Sequence, residues 1–279
     1  MRPVDRLIVG YLILSAGEIV LFRNGEGAGA PIALGHGAVA LAILLGSRLR
    51  PARGVLRLAR DWYPLAVILG AYAEFRWLAQ LPGGALHDPV IAGLEARLFG
   101  GQPSQTFHAA APWPLLAEYL HLCYVSYYAI PLTLPIWLFT RREAARFSEA
   151  LTAILGSFLV CCLVYIVFPV AGPYHHIGHP RIADVAGLVP PIAHRIIQAG
   201  SSVGTAFPSS HTAVAVAVWL ASWRLARTLF WVLALIVPGL AFGTVYGGFH
   251  YAVDTIAGVA IGAASVAAAA ALHARDRLG

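Results

Sequence analysis

Eight apolar runs follow one another along this 279-residue chain, with most charges confined to the gaps between them. They span residues 7–22, 31–46, 62–81, 114–139, 150–170, 209–225, 228–247 and 255–272. Most approach the roughly 20 apolar residues that a helix needs to cross a hydrocarbon core. Hydrophobic residues make up 59% of the chain and Asp, Glu, Lys and Arg only 11%, against about 25% charged in soluble domains. So few charges cannot cover a water-soluble globule. The same numbers exclude a disordered chain, a coiled coil and a disulfide-rich scaffold. The expected fold is an all-α integral membrane protein with about eight transmembrane helices.

The formal charge of +6 would suggest nucleic acid in a soluble protein. Here all 19 basic residues are arginine and they cluster between the apolar runs. With both termini inside, the inner segments hold fourteen arginines, while the outer loops hold four: Arg23, Arg97, Arg181 and Arg195. The expectation is a bacterial-type cytoplasmic membrane, cytoplasmic termini, and the bilayer instead of nucleic acid as the partner of the basic residues. Segment 47–60, rich in arginine, is expected on the inner membrane surface near anionic lipid. Arg2, Arg6 and the Ala28-Gly29-Ala30 triplet resemble a signal peptide, but Glu18 interrupts the apolar core, so the segment reads as a retained first span. Cys123, Cys161 and Cys162 lie inside apolar runs and read as quiet buried thiols.

Two outer loops are long, and long loops tend to be functional. Segment 82–113 contains His87-Asp88 and an amphipathic run, 89–99, expected to rest in the interface. Segment 171–208 carries Tyr174, His175, His176, His179 and Arg181, with a second surface helix expected near 191–198.

Two short segments carry the chemistry. Pro208-Ser209-Ser210-His211 opens the sixth run, where proline and serine suit a first helical turn and free N–H groups attract an anion. Taken alone it could equally be an ordinary helix start. His250 and Asp254, four residues apart at the opening of the eighth run, share one helix face. A carboxylate there can fix the histidine tautomer and stabilise its cation, although a surface His–Asp pair has the same spacing. From His211 the chain crosses inward, turns at Arg224–Arg227 and returns to His250 at the same outer face. Two histidines and an aspartate expected at one membrane depth look like a nucleophile, a general acid and an orienting base.

These segments resemble the second and third motifs of the type 2 phosphatidic acid phosphatase superfamily, P-S-G-H and S-R-x5-H-x3-D. The resemblance covers the last six runs. It implies a six-helix catalytic core over residues 61–279, preceded by two spans and the basic surface segment over 1–60. It also implies that His250 forms a phosphohistidine, Asp254 orients it, His211 protonates the leaving group, and Ser209 and Ser210 contact phosphate, without metal or other cofactor. Two departures stand out. Gly243 and Thr244 occupy the Ser-Arg positions, and the lysine-containing first motif is absent from a chain that has no lysine. Phe168-Pro169-Val170-Ala171-Gly172-Pro173-Tyr174 stands in its place. That combination is similar to the inositol phosphorylceramide synthase branch, whose members move a phosphorylated head group between lipids instead of releasing it to water, so the expected partners are a lipid phosphate or phosphodiester substrate and a lipid or polyol alcohol acceptor. Arg181 is the best substitute for the missing phosphate-binding cation.

Further polar groups fall within the runs: Glu74 and Arg76 in the third, Glu118 and His121 in the fourth, near Tyr124, Tyr127 and Tyr128. They are either a structural set or the lining of a head-group pocket with Tyr174, His175, His176 and His179. Neither the histidine-rich loop nor Glu118-x-x-His121 has a second ligand cluster at metal spacing. The leading expectation is a lipid phosphotransferase acting at the outer face, with a lipid phosphate phosphatase as the alternative. A lipid transporter or flippase is the rival from another class. It would predict charges near the midplane of several spans, whereas the His, Ser and Asp groups here gather at span ends.

Overall fold

The structure, a computed structural model, describes residues 1–24, 27–48, 54–81, 85–178 and 187–278, with side chains described as far as residue 276. Among these the secondary structure is helical, without a strand. The N-terminal part comprises α1 (Pro3–Phe22), α2 (Ala30–Gly46) and α3 (Val55–Leu78). The first long loop holds α4 (Asp88–Phe99) and α5 (Pro103–Ala110). Then come α6 (Pro114–Val125), α7 (Ile130–Thr140) and α8 (Ala144–Val167). The second long loop holds α9 (Pro173–His176) and α10 (Val189–Gly200), and the chain ends with α11 (Ser210–Leu225), α12 (Arg227–Tyr246) and α13 (Ala252–Leu278). Both expected surface helices form, as α4 and α10.

By length and hydropathy α8, α12 and α13 can each cross a membrane, and the pair α6–α7 together makes a fourth candidate. Among the described residues this measure gives three spans, or four with the bent pair, against the expected eight. The helices α2 and α11 are 17 and 16 residues long, and α1 and α3 carry charges that lower their hydropathy. Large apolar side chains facing outward, such as Leu69, Leu132, Trp231, Leu235 and Phe242, are what a lipid-facing surface requires. The run at 114–139, read as one span, is broken: α6 and α7 meet at 54° across a short 3-10 turn, Ser126–Tyr128. Pro131 near the start of α7 lacks the N–H that a continuous helix would use.

The central helix is α8, packed against α1, α3, α7, α11 and α13. Its Leu151, Ile154, Leu155 and Phe158 are buried in the main core with Ile8, Leu134, Val214 and Leu240. The contact between α11 and α13 is set by two glycines one turn apart. A Cβ at Gly258 would lie 2.5 Å from the Ser209 carbonyl oxygen, and one at Gly262 would lie 2.5 Å from that of Ala213. Such a small-x-x-x-small face lets two backbones approach closely. That approach brings the start of α13, carrying Asp254, beside the start of α11, carrying His211.

Behind α3 lies a buried polar chain. Ser15 Oγ is 2.8 Å from His36 Nδ1, and His36 Nε2 is 2.9 Å from Glu74 Oε2. These bonds tie α1, α2 and α3 together.

Candidate active site

A cavity of about 650 Å³ opens where α11 and the α12–α13 turn meet. Its polar end is lined by His211, His250 and Ser210, with Tyr124, Tyr127 and Tyr128 from the α6–α7 break and Tyr174 and His175 from α9. Its apolar end runs along α3 and α7 past Leu65, Ile68, Leu69 and Leu132. Arg76, in the last turn of α3, lines the same cavity and donates to the Ala199 carbonyl at 3.0 Å.

The rings of His211 and His250 are 5.6 Å apart, centroid to centroid. His211 stands in the first turn of α11, flanked by Tyr127 at 4.3 Å and Tyr124 at 5.3 Å. Tyr124 in turn stacks on Phe249 at 4.4 Å, so an aromatic wall fixes the imidazole sideways. Tyr165 organises the helix start: its hydroxyl donates to Pro208 O at 2.8 Å and accepts from Ser210 N at 3.2 Å.

His250 is held from behind. Its Nδ1 donates to the Ala206 carbonyl at 3.0 Å and lies 3.5 Å from Asp254 Oδ2. The carbonyl can only accept, so Nδ1 carries the proton and Nε2 keeps its lone pair. Asp254 is fully buried; its Oδ2 accepts from Tyr251 N at 2.9 Å, and its carbonyl accepts from Ser209 N at 3.0 Å. Orientation of His250 is therefore shared between Asp254 and the Ala206 carbonyl, a backbone group that no side-chain motif announces. Thr244, at the position of the missing arginine, accepts from His250 N at 3.0 Å through its carbonyl and bonds the Thr255 hydroxyl at 2.8 Å. It is a tie between α12 and α13. Gly243 beside it lets the Leu120 carbonyl of α6 pack against the α12 backbone.

Of the expected substrate-binding residues, Ser210, Tyr174, His175 and Arg76 join His211 and His250 on the cavity wall. Ser209 is turned away: its Oγ accepts from Thr212 N at 3.3 Å and caps α11. Glu118 accepts from Leu188 N and Val189 N, which caps α10 instead of lining the cavity. His121 lies behind Phe249, its Nδ1 2.7 Å from Ala117 O. Glu74 is engaged by His36, and His176 is exposed outside the cavity wall. His179 and Arg181 lie outside the described residues.

Two side chains at the site were not anticipated from the sequence, Asp88 and Glu95 of α4, both fully buried. Asp88 accepts from Ala171 N at 2.8 Å and Gly172 N at 2.9 Å, and from the Tyr251 hydroxyl at 3.3 Å. Glu95 accepts from Ala252 N and Val253 N, the first turn of α13. Their spacing of seven residues puts them on one face two turns apart. The available signal was an acidic pair at that spacing, Asp88 just before the run at 89–99 and Glu95 inside it.

Two histidines facing each other at 5.6 Å with one tautomer fixed, on a cavity polar at one end and apolar at the other, suit phosphoryl chemistry on an amphiphile. Comparison with curated proteins and with solved structures gives no significant match. The family model of the PAP2 superfamily matches residues 90–268, which takes in α4 from Val90 onward, both histidines and Asp254. With well over half of its length matched, the chain belongs to the PAP2 superfamily.

Proposed function

We propose that the protein is an integral membrane lipid phosphotransferase that moves a phosphorylated head group between lipids through a phosphohistidine, at the outer membrane face and without metal. Membership of the PAP2 superfamily suggests chemistry of lipid phosphatase or phosphotransferase type. The observation that carries the reading is the pairing of His211 and His250 at 5.6 Å on one cavity, with His250 Nδ1 already committed to Ala206.

In the first step His250 Nε2 attacks the donor phosphorus and the P–O bond to the leaving alcohol breaks. His211 gives that oxygen a proton. The phosphoramidate is then attacked by the acceptor hydroxyl, whose proton passes to His211 while the P–N bond breaks, regenerating both histidines. The imidazolium formed at His250 is stabilised by the buried Asp254 carboxylate at 3.5 Å. Arg76, the arginine on the cavity wall among the described residues, supplies positive charge for the phosphate. The side chains of Leu65, Leu69 and Leu132 suit a lipid tail entering between α3 and α7. The arginine asymmetry supports an outward-facing site and an eight-span topology in which α1, α2, α3 and α11 also cross.

Transfer in preference to hydrolysis rests on the degenerate first motif, the Gly243-Thr244 pair, and the likeness of F-P-S-S-H and H-Y-A-V-D to the synthase branch. The test is the product ratio from a head-group-labelled lipid phosphodiester, with and without diacylglycerol or ceramide as acceptor. Label moving to the added acceptor is expected. Free head-group phosphate or free phosphate dominating under every condition would leave a lipid phosphatase instead.

A further inference from the structure

The inward face of α4 carries two acids beside an apolar anchor: Asp88 and Glu95 are fully buried on either side of the buried Ile91, whereas Val90, Leu94 and Leu98 are exposed. Burying carboxylates is costly unless their oxygens are satisfied; both Asp88 oxygens and Glu95 Oε1 accept bonds, mostly from the backbone of the loops that form the site, while Glu95 Oε2 is buried without a partner among the described residues.

Asp88 grips the chain on two sides. Through Ala171 N and Gly172 N it holds the loop following α8, and His87 adds to this by stacking on Phe168 at 4.1 Å. That loop pairs with residues 204–206, Ala206 N donating to Val170 O at 2.9 Å. Gly172 has φ of +90°, and a Cβ there would lie 2.9 Å from that of Ala206, so the two strands of chain are in close contact. Ala206 is the residue whose carbonyl holds His250 Nδ1. On its other side Asp88 accepts from Tyr251, the residue after His250. Glu95 completes the arrangement at the first turn of α13, one residue before Asp254. Burial raises the Glu95 carboxyl to about 7 despite the N–H groups that favour its charge. It is held where solvation alone would not keep it.

We infer that Asp88 and Glu95 are positioning residues for the phosphoryl-transfer site, α4 acting as a buttress that sets the aim of His250 through Ala206, Tyr251 and the start of α13. The inference rests on the histidine chemistry proposed above, and goes beyond it by assigning a role to two acids that touch no substrate.

The test uses the full-length protein in detergent, labelled with 15N-histidine and titrated with orthovanadate, a mimic of pentacoordinate phosphorus. In the wild type, His211 and His250 should both respond, and His250 should report a protonated Nδ1. Asp88→Asn and Glu95→Gln preserve volume and remove charge. Each should weaken vanadate binding about 10- to 100-fold, the range for partners that orient a site ligand, and shift the His250 Nδ1 signal while leaving helicity intact. If one variant does not fold, the other decides. If wild-type histidines ignore vanadate, the histidine chemistry itself falls. If they respond in the wild type and equally in a folded variant, with His250 Nδ1 unmoved, that chemistry stands and the buttress role is overturned.

Discussion

Two groupings of serine, histidine and acid among the described residues invite comparison, and the better hydrogen-bonded one is not the candidate site. In the N-terminal part Ser15, His36 and Glu74 are joined at 2.8 and 2.9 Å. At the α11–α13 contact His250 and Asp254 are 3.5 Å apart, and Ser209 only caps a helix. What separates them is access. His211, His250 and Ser210 line a cavity of about 650 Å³, while Ser15, His36 and Glu74 do not. Short bonds on both ring nitrogens leave His36 no lone pair to offer. A single bond on Nδ1 leaves His250 Nε2 free for a phosphorus atom.

The largest expected effect breaks this comparison directly. His250→Ala should lower turnover by about 10⁴-fold or more, and Asp254→Asn by about 10²–10⁴, both with the fold intact. His36→Ala should leave turnover within about twofold and instead destabilise the fold by roughly 1–3 kcal/mol, because Glu74 loses its buried partner. Turnover and melting temperature measured on the same preparations separate the two groupings. A large loss of turnover in folded His36→Ala would put the N-terminal chain into the chemistry.

A smaller contrast lies within Pro208-Ser209-Ser210-His211. Ser209→Ala removes a helix cap and should reduce stability by about 0.5–2 kcal/mol, with KM for a lipid phosphate unchanged. Ser210→Ala should raise KM with little change in stability. Reversed outcomes would mean that Ser209 turns toward phosphate when substrate is present.

The motif residues were legible because their spacing is local: P-S-S-H opens a helix, H-x3-D shares a helix face, and the hairpin between them is one apolar round trip. The surface helices α4 and α10 were legible from their amphipathic runs. The roles of Asp88 and Glu95 were not. Asp88 reaches residues 83 and 84 positions away, and Glu95 residues 157 and 158 away, and no local pattern carries that register. The break between α6 and α7 was half-written in Pro131, but a proline inside an apolar run also occurs in unbroken spans. For Glu118 and His121 the sequence leaves a structural set and a pocket lining equally open, and only the fold places Glu118 at the cap of α10 and His121 behind Phe249.

The smallest expected effect concerns pH. Glu95 faces the Asp254 carboxylate and the Tyr251 hydroxyl, and burial raises its pKa from 4.5 to about 7. Between those values the folded protein keeps a proton that the unfolded chain has released, so stability from this group falls as pH rises through that window. Below 4.5 its contribution is complete. The melting temperature of the wild type minus that of Glu95→Gln should therefore shrink between pH 4.5 and 7. A difference that stays constant or grows would contradict a raised Glu95.

The central claim is that His250, and not another nucleophile or a directly attacking water, receives the phosphoryl group. A rapid alkaline quench of the working protein with a labelled lipid phosphodiester, followed by peptide mapping, tests it most directly. The account predicts acid-labile, base-stable label on His250, building up further when His211→Ala slows its release. Label on any other residue, or continued turnover in His250→Ala, would contradict it.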